Sequence, residues 1–316
     1  MKVIIAGGSG FIGTALTREL AKEGNLVTIL TRRQVSLEPQ SKPSVTYLQW
    51  DGQSLGDWVS PFNASQVVIN LAGENIAGKN FYEVVAKRWT KQRKEILRSS
   101  RVNTGLVLTS AIQTANQHPA TFIQASAVGY YGQHPNCEFT EVSPPGNDFL
   151  AQLCVDWENS SAEVESQTTK RIIIRIAGIV MSDKGGSLPF LLFPYKYFIG
   201  GPLGSGKQWV SWIHLDDLVR SIIFLINNPT SQGVYNLCAP QTITNQELCK
   251  IIGKVMKRPS AIRIPEWVFR IGFGEKANTL LASQKQIPIR LLEDGFQFKF
   301  PDVDSALENI LVKADK

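Results

Sequence analysis

The sequence predicts an α/β fold: a parallel sheet covered by helices on both faces. Three observations predict it. Short apolar runs alternate with helix-period segments through the first half of the chain. Those runs, such as Val3-Ile4-Ile5-Ala6 and Val67-Val68-Ile69, are apolar at successive positions, as strands buried on two faces must be. And the first run breaks at once into a glycine turn that opens a helix.

The elements follow in order. Residues 2–6 read as a strand and residues 11–23 as a helix, with Ile12, Leu16 and Leu20 on one face at spacing four. After a turn at Gly24-Asn25 come strands at 26–30 and 45–48, then a buried strand at 67–71. Helices are expected at 82–101 and 102–116, a strand at 121–125, a Gly-, Pro- and Asn-rich loop at 129–148, a helix at 149–165 and a strand at 171–176. Beyond about residue 178 the rhythm changes. The segment 183–212 is rich in glycine and holds Pro189, Pro194 and Pro202, as loops over a site would be. A helix opens within 212–217 and a strand returns at 233–237. Thr244 and Glu247 form a capping box for a helix to about 256, and Pro265 suits a helix N1 position. Residues 1–180 with about 213–240 are therefore expected to form a nucleotide-binding domain of Rossmann type, doubly wound. Residues 181–212 and 241–316 are expected to form a smaller, C-terminal substrate lobe.

Composition narrows the class. With 316 residues, 43% hydrophobic and 19% charged, the chain has ample core and no signature of disorder. No apolar run reaches the roughly 18 residues of a membrane span, and the short run at 3–6 is no export leader. The four cysteines form no C-x-x-C pair and there are three histidines, so reduced thiols, no metal site and a cytoplasmic location are expected. The net charge of +6 is concentrated: residues 79–101 hold eight basic and two acidic residues, eight minus two giving the whole excess. Lys87, Lys91, Lys94, Arg98 and Arg101 recur at spacings of four and three along one helix face. That face reads as solvated or as an acid-facing edge with Arg101 near a cofactor. It lacks interleaved aromatics and any recognised module, so nucleic acid is not expected as a partner.

The strongest motif is Gly7-Gly8-Ser9-Gly10-Phe11-Ile12-Gly13 between a strand and a helix. One glycine permits the tight turn, one lets backbone N–H groups approach a diphosphate, and the last lets helix and strand pack closely. The diphosphate then meets the unpaired N–H groups and positive dipole end of the helix. Gly7, Ser9, Gly10, Phe11, Ile12 and Gly13 are the candidate cofactor contacts. The second strand ends at Thr31-Arg32-Arg33. An NAD site places an acid there for the ribose 2′-hydroxyl; two guanidinium groups suit a 2′-phosphate instead, so NADP(H) is the expected cofactor.

Further stretches match in order: Asn70-Leu-Ala-Gly73, Ser100-Arg101-Val-Asn-Thr104, Ser126-Ala-Val-Gly-Tyr-Tyr-Gly132, Thr140-Glu141, Arg175-Ile-Ala-Gly178, Trp212-Ile-His-Leu-Asp-Asp217 and Tyr235-Asn236. With the glycine turn they resemble the extended short-chain dehydrogenases/reductases of the NAD(P)-dependent epimerase/dehydratase family. Asn70–Ile76, Gly200–Trp209 and the run Gln286-x-Pro288-x-Arg290-Leu291 resemble its "epimerase family protein" branch, sometimes labelled cell-division inhibitor. The resemblance spans nearly the whole chain. It implies the fold and the cofactor, with Leu71, Ala72, Gly73 and Arg101 among the cofactor contacts. The parent group uses a Tyr-x-x-x-Lys pair for acid/base work, and here the chain departs: the helix expected to carry it reads Phe149-Leu-Ala-Gln-Leu-Cys-Val-Asp-Trp-Glu158, with neither residue.

Other groups are candidates for the chemistry. Ser126 follows a strand at its carboxyl end, where open α/β sheets bind ligands, and is placed to orient a substrate oxygen. Tyr130 and Tyr131 follow it, either as proton donor or as an aromatic lid. Glu74 reads as a base or a helix cap, and His214 as a core histidine bonded to backbone or as a site group. The loops at 185–212 offer Phe190, Tyr195, Tyr197, Trp209 and Trp212 with Lys196 and Lys207, an aromatic wall suited to a small, anionic substrate or to the joint between two lobes. The leading expectation is an oxidoreductase or epimerase acting on a small carbonyl or hydroxyl compound. The alternative is a regulatory or scaffold protein that senses NADP(H) without turnover, favoured by the missing Tyr/Lys pair.

Overall fold

The computed structural model describes residues 1–34, 44–76, 78, 88–134 and 137–314. Seven strands form one sheet: β1 (Lys2–Ala6), β2 (Leu26–Thr31), β3 (Val45–Gln49), β4 (Val67–Asn70), β5 (Thr121–Ala127), β6 (Lys170–Ile176) and β7 (Gly233–Leu237). Their order is β3-β2-β1-β4-β5-β6-β7, and every neighbouring pair runs parallel. The chain thus winds outward one way from β1, returns, and winds the other way from β4. That reversal between β1 and β4 opens a crevice at the carboxyl ends of the strands, where a dinucleotide fits.

Each strand sends alternate side chains to opposite faces, so the sheet builds two cores. On one face Ile5, Ile29 and Ile123 pack with Leu16 and Leu20 of α1 (Phe11–Lys22). On the other, Ile4, Val68 and Phe122 pack with Val107, Leu108 and Ile112 of α2 (Lys91–Thr114), joined by Trp58 and Phe62. Next in the chain are α3 (Phe149–Asn159), α4 (Leu188–Lys196), α5 (Leu215–Asn227) and α6 (Asn245–Met256). Leu218, Ile222 and Leu225 of α5 join α1 in the first core. A further core sits among later elements, where Leu188, Tyr195, Trp212, Leu248, Ile252, Phe300 and Leu307 come together. The C-terminal segment is tied to the sheet as well, with Leu291 and Phe296 in the first core and Lys285–Gln286 paired in parallel with Glu138–Phe139.

Several expected boundaries move. The start expected at residue 82 lies outside the described residues. From Lys91 to Thr114 α2 is one unbroken helix, capped by Thr90, whose side chain accepts from Arg93 N; no break falls at 101–102. α3 stops at Asn159, six residues short of its expected end, because the Ser160 and Ser161 hydroxyls turn back to the Trp157 and Glu158 carbonyls and a 3-10 turn, Ala162–Gln167, follows. Trp212–His214 is a short strand beside Ile179–Met181, and α5 begins at Leu215, within the expected 212–217. The capping box of Thr244 and Glu247 forms as read, whereas Pro265 stands one residue earlier than expected, as the cap of Glu266–Phe273.

Two cations of the basic helix face, Lys94 and Arg98, pair with acids of other segments, as does Arg93 beside them, and Lys87 lies outside the described residues. Arg93 pairs with Glu74, Lys94 with Glu275 and Arg98 with Asp156 at 3.4, 2.7 and 2.8 Å. Among the described residues no helix is long and apolar enough to cross a membrane.

Candidate cofactor cleft and the strand-end cluster

The turn after β1 is built for close approach. Gly7 has φ +82°, and a Cβ there would lie 2.7 Å from the Leu71 carbonyl carbon and 2.9 Å from Ala72 N. Only glycine lets this turn lie against the loop after β4. A Cβ on Gly13 would press on Gly8 Cα at 2.6 Å, so the helix start is held against the turn. Gly10 donates to the Gly7 carbonyl at 3.0 Å and stands as the cap of α1 without a side-chain acceptor. The N–H groups of the first turn of α1 are thereby left for an anion. Phe11 and Ile12 are half-buried, and the Phe11 ring closes on Gly185 and Gly186 of the later loops.

At the end of β2, Thr31 is buried and its Oγ1 accepts from Arg33 N at 3.2 Å. Arg32 and Arg33 are exposed, and among the described residues neither has an acidic partner. At the end of β4, buried Asn70 donates to Gln124 Oε1 and accepts from Ala72 N, both at 3.1 Å, which shapes the Leu71–Gly73 loop. Glu74, read as a base or a cap, has its carboxylate beside Arg93 and its N–H on Ser100 Oγ. Arg101 is the exception on its helix. It is 7% exposed, donates from Nη1 to the Leu97 carbonyl, lies over the Trp157 ring at 5.0 Å, and stands so near Gly73 that a Cβ there would lie 3.1 Å from its guanidinium carbon. Burial lowers its guanidinium to about 10.

The carboxyl end of β5 carries a buried polar cluster. Ser126 Oγ donates to Glu158 Oε1 at 2.6 Å. The Glu158 carboxylate takes two more bonds from Arg175, each 2.9 Å, in a bidentate pair. Arg175 also donates to Tyr131 Oη at 3.1 Å, and its guanidinium lies 3.3 Å from the centroid of the Tyr130 ring. Tyr131 Oη donates in turn to Asn236 Oδ1 at 2.6 Å, and Gln286 donates to the same oxygen at 2.9 Å. Ser126 and Tyr131, 2% and 0% exposed, therefore have hydroxyls committed to the protein interior. Burial raises the Tyr131 phenol to about 12, against the opposing pull of Arg175. Of the three hydroxyls singled out in the sequence, Tyr130 alone remains half-buried. His214 is a core residue: its Nδ1 accepts from Asp216 N at 3.0 Å, capping α5, and its ring packs on Phe300.

Glu158, Asn236 and Gln286 were not singled out as candidates. One signal for the cluster was present: Arg175 interrupts the apolar run Ile172-Ile-Ile-Arg175-Ile, and a cation inside a buried strand demands a buried carboxylate.

On α3, Leu150 and Cys154 face Gly129 at the strand end, since a Cβ on Gly129 would lie 3.4 Å from Leu150 Cβ and 3.7 Å from Cys154 Sγ. The Cys154 thiol leans on the Ala127 carbonyl, and burial pushes it up to about 12. Cys238 and Cys249 are also buried with raised thiols, while Cys137 is exposed. Iodoacetamide at pH 8 is therefore expected to label Cys137 alone in the native protein, and mass spectrometry after tryptic digestion reads it. Native labelling of Cys154 would contradict this packing.

Residues 3–180 match the model of the NAD dependent epimerase/dehydratase family. The chain belongs to this family. Residues 264–310 match a second model, a domain of unknown function. An epimerase family protein of Staphylococcus saprophyticus is 34% identical over 98% of both chains. A chloroplastic epimerase family protein of Arabidopsis thaliana is 34% identical over 98% of this chain and 87% of its own. Among solved structures, the human epimerase family protein SDR39U1 with NADPH is 32% identical, with a TM-score of 0.84 over 98% of this chain and 99% of that one. On the helix face over the strand end the side chains one turn apart are Leu150 and Cys154, with Glu158 a turn further, and Phe149–Asn159 holds neither tyrosine nor lysine.

Proposed function

We propose that the chain binds NADP(H) in the crevice between β1 and β4 and acts as an oxidoreductase or epimerase on a small carbonyl or hydroxyl compound. The observation that carries the cofactor is the pairing of an uncapped glycine turn with two exposed arginines at the end of β2 that have no acidic partner among the described residues. The turn receives the diphosphate on the Phe11, Ile12 and Gly13 N–H groups, with Gly7, Ser9 and Gly10 beside it. Arg32 and Arg33 clamp the 2′-phosphate, with Thr31 setting their backbone, and Leu71, Ala72 and Gly73 line the nicotinamide side. The NADPH held by the human relative supports this choice. When bound, the nicotinamide supplies or accepts a hydride. In this reading residues 1–180 with 213–240 form the cofactor domain, the remaining loops enclose an anionic substrate, and the free cysteines suit the reducing cytoplasm.

Tyr130 is the group assigned to move the proton. Its ring is stacked on the fixed Arg175, which orients it at the strand end, and its hydroxyl is not tied into the Ser126–Tyr131 cluster. Tyr130→Phe is expected to lower carbonyl-dependent NADPH oxidation by about a hundredfold, the scale of one general acid, with NADPH affinity kept. Unchanged turnover would remove Tyr130 from the chemistry. A second reading is favoured by the inward-facing Ser126 and Tyr131 hydroxyls and by Leu150 and Cys154: a protein that senses NADP(H) without turnover. Tight NADPH binding with no oxidation across a panel of aldehydes, ketones and sugar nucleotides would select it.

A further inference from the structure

Two segments of the later chain carry a charge bias that the cofactor reading does not use. Residues 188–210 hold two basic residues and residues 248–265 five, and neither segment holds an acid. The fold brings the two together. Leu192 and Tyr195 of α4 share a core with Leu248 and Ile252 of α6, and Tyr195 Oη donates to the Cys249 carbonyl at 3.1 Å. Just past α4 the Gly200 carbonyl accepts from Ile262 N at 3.3 Å, and the Arg258 guanidinium lies 4.4 Å from the centroid of the Phe198 ring.

The turn that ends α4 leaves its apolar side chains in water. Tyr197, Phe198 and Ile199 are 62, 55 and 52% exposed in succession, where a single exposed apolar residue would need no explanation. Phe193 and Ile262 extend the patch: the Phe193 ring lies 5.1 Å from that of Tyr197, and Ile262 is bonded beside Ile199. Phe198 has φ +62°, a left-handed conformation that glycine adopts freely and a bulky residue adopts at a cost. The chain thus holds a strained aromatic ring at an exposed turn where glycine would be the stable choice. Cations flank it. Lys196, Lys257, Arg258 and Arg263 are exposed, and among the described residues none of them is paired with an acid; Lys254, further off, reaches Asp304 at 3.3 Å.

An apolar tip flanked by charge of one sign matches an anionic lipid surface. Aromatic and aliphatic side chains enter the headgroup boundary, and the cations around them meet the acidic headgroups. A second copy of this chain seated on the same patch would instead bring like charges face to face. We propose that the turn Tyr197–Ile199, with Phe193, Ile262 and the flanking cations, docks the protein on an anionic membrane surface without crossing it. The inference goes beyond the cofactor reading and does not depend on it.

Co-sedimentation of the full chain with vesicles tests it, using phosphatidylcholine alone and phosphatidylcholine with about one part in three of phosphatidylserine. Binding to the anionic vesicles is expected to be at least about tenfold stronger than to the neutral ones, and to weaken as salt rises. Phe198→Gly with Ile199→Ser is expected to lower it by about tenfold or more. The melting temperature of that variant is expected to hold or rise, because glycine now occupies the left-handed position. Changing Lys196, Lys257 and Arg263 together to glutamine is expected to lower binding to the anionic vesicles by about tenfold or more and to leave the neutral ones unaffected. Equal or absent binding to the two kinds of vesicle overturns the proposal, as does binding that the Phe198→Gly/Ile199→Ser variant retains in full. A wild-type dimer that this variant dissolves, seen by analytical ultracentrifugation, also overturns it and assigns the patch to a second copy.

Discussion

Replacing Arg32 and Arg33 together by alanine is expected to weaken NADPH binding by about a hundredfold or more while leaving NADH nearly unchanged. Each guanidinium offers charge-assisted, forked hydrogen bonds to a phosphate, and two such contacts at about 1.5 kcal/mol or more apiece give that ratio. Both arginines are exposed and neither is tied to an acid among the described residues, so the substitution removes ligand contacts without opening the core. The melting temperature is therefore expected to hold, which separates a binding effect from unfolding. Since the contacts are electrostatic, the NADPH preference is also expected to shrink as salt rises from 50 to 500 mM, values set for the titration about the screening range of simple salts. Equal affinity for NADPH and NADH in wild type would remove the 2′-phosphate assignment and leave a cleft that reads only the parts the two cofactors share.

The fold was legible because its determinants are local and periodic. Continuous apolar runs such as Ile172-Ile-Ile can satisfy a parallel sheet buried on both sides, and the Gly7–Gly13 spacing admits one backbone path between strand and helix. The elements that moved are those where tertiary partners decide. Residues 102–116 read as a fresh helix, yet α2 runs through Arg101, with Leu97 buried before that point and Val107, Leu108 and Ile112 packed in the sheet's core beyond it. The strand-end cluster was hidden for a different reason. Ser126 and Tyr131 carry the residue types of a catalytic site, and sequence spacing says nothing about which way a strand-end hydroxyl points. Their orientation is set by residues 32 and 105 positions away, Glu158 and Asn236. Likewise the basic repeat along α2 concealed one residue unlike the rest: Lys94 and Arg98 reach surface acids, while Arg101 turns inward onto Gly73.

Breaking the Glu158–Arg175 pair is the change expected to harm the fold most. Glu158→Ala leaves a guanidinium that is 3% exposed without its carboxylate, and also strips Ser126 of its acceptor. Removing one partner of a buried pair typically costs about 3–5 kcal/mol, a large part of the 5–15 kcal/mol that holds a domain folded. Urea unfolding at pH 7 is expected to show a midpoint lowered accordingly, with the slope unchanged. Glu158→Gln keeps the shape and a hydrogen-bond acceptor but not the charge, so it is expected to fall between the two. Arg175→Met should hurt less than Glu158→Ala on its own element, since the stranded carboxylate can take up a proton, while a guanidinium cannot give one up. It also loses the bonds to Tyr131 and to the Glu141 carbonyl, and with them the stacking under Tyr130. The comparison therefore separates two roles of one residue. If Arg175→Met loses turnover more steeply than its stability predicts, the guanidinium is also what aims Tyr130. If turnover falls only in step with the folded fraction, the pair is a strut beneath the strand end, and the proton must come from elsewhere.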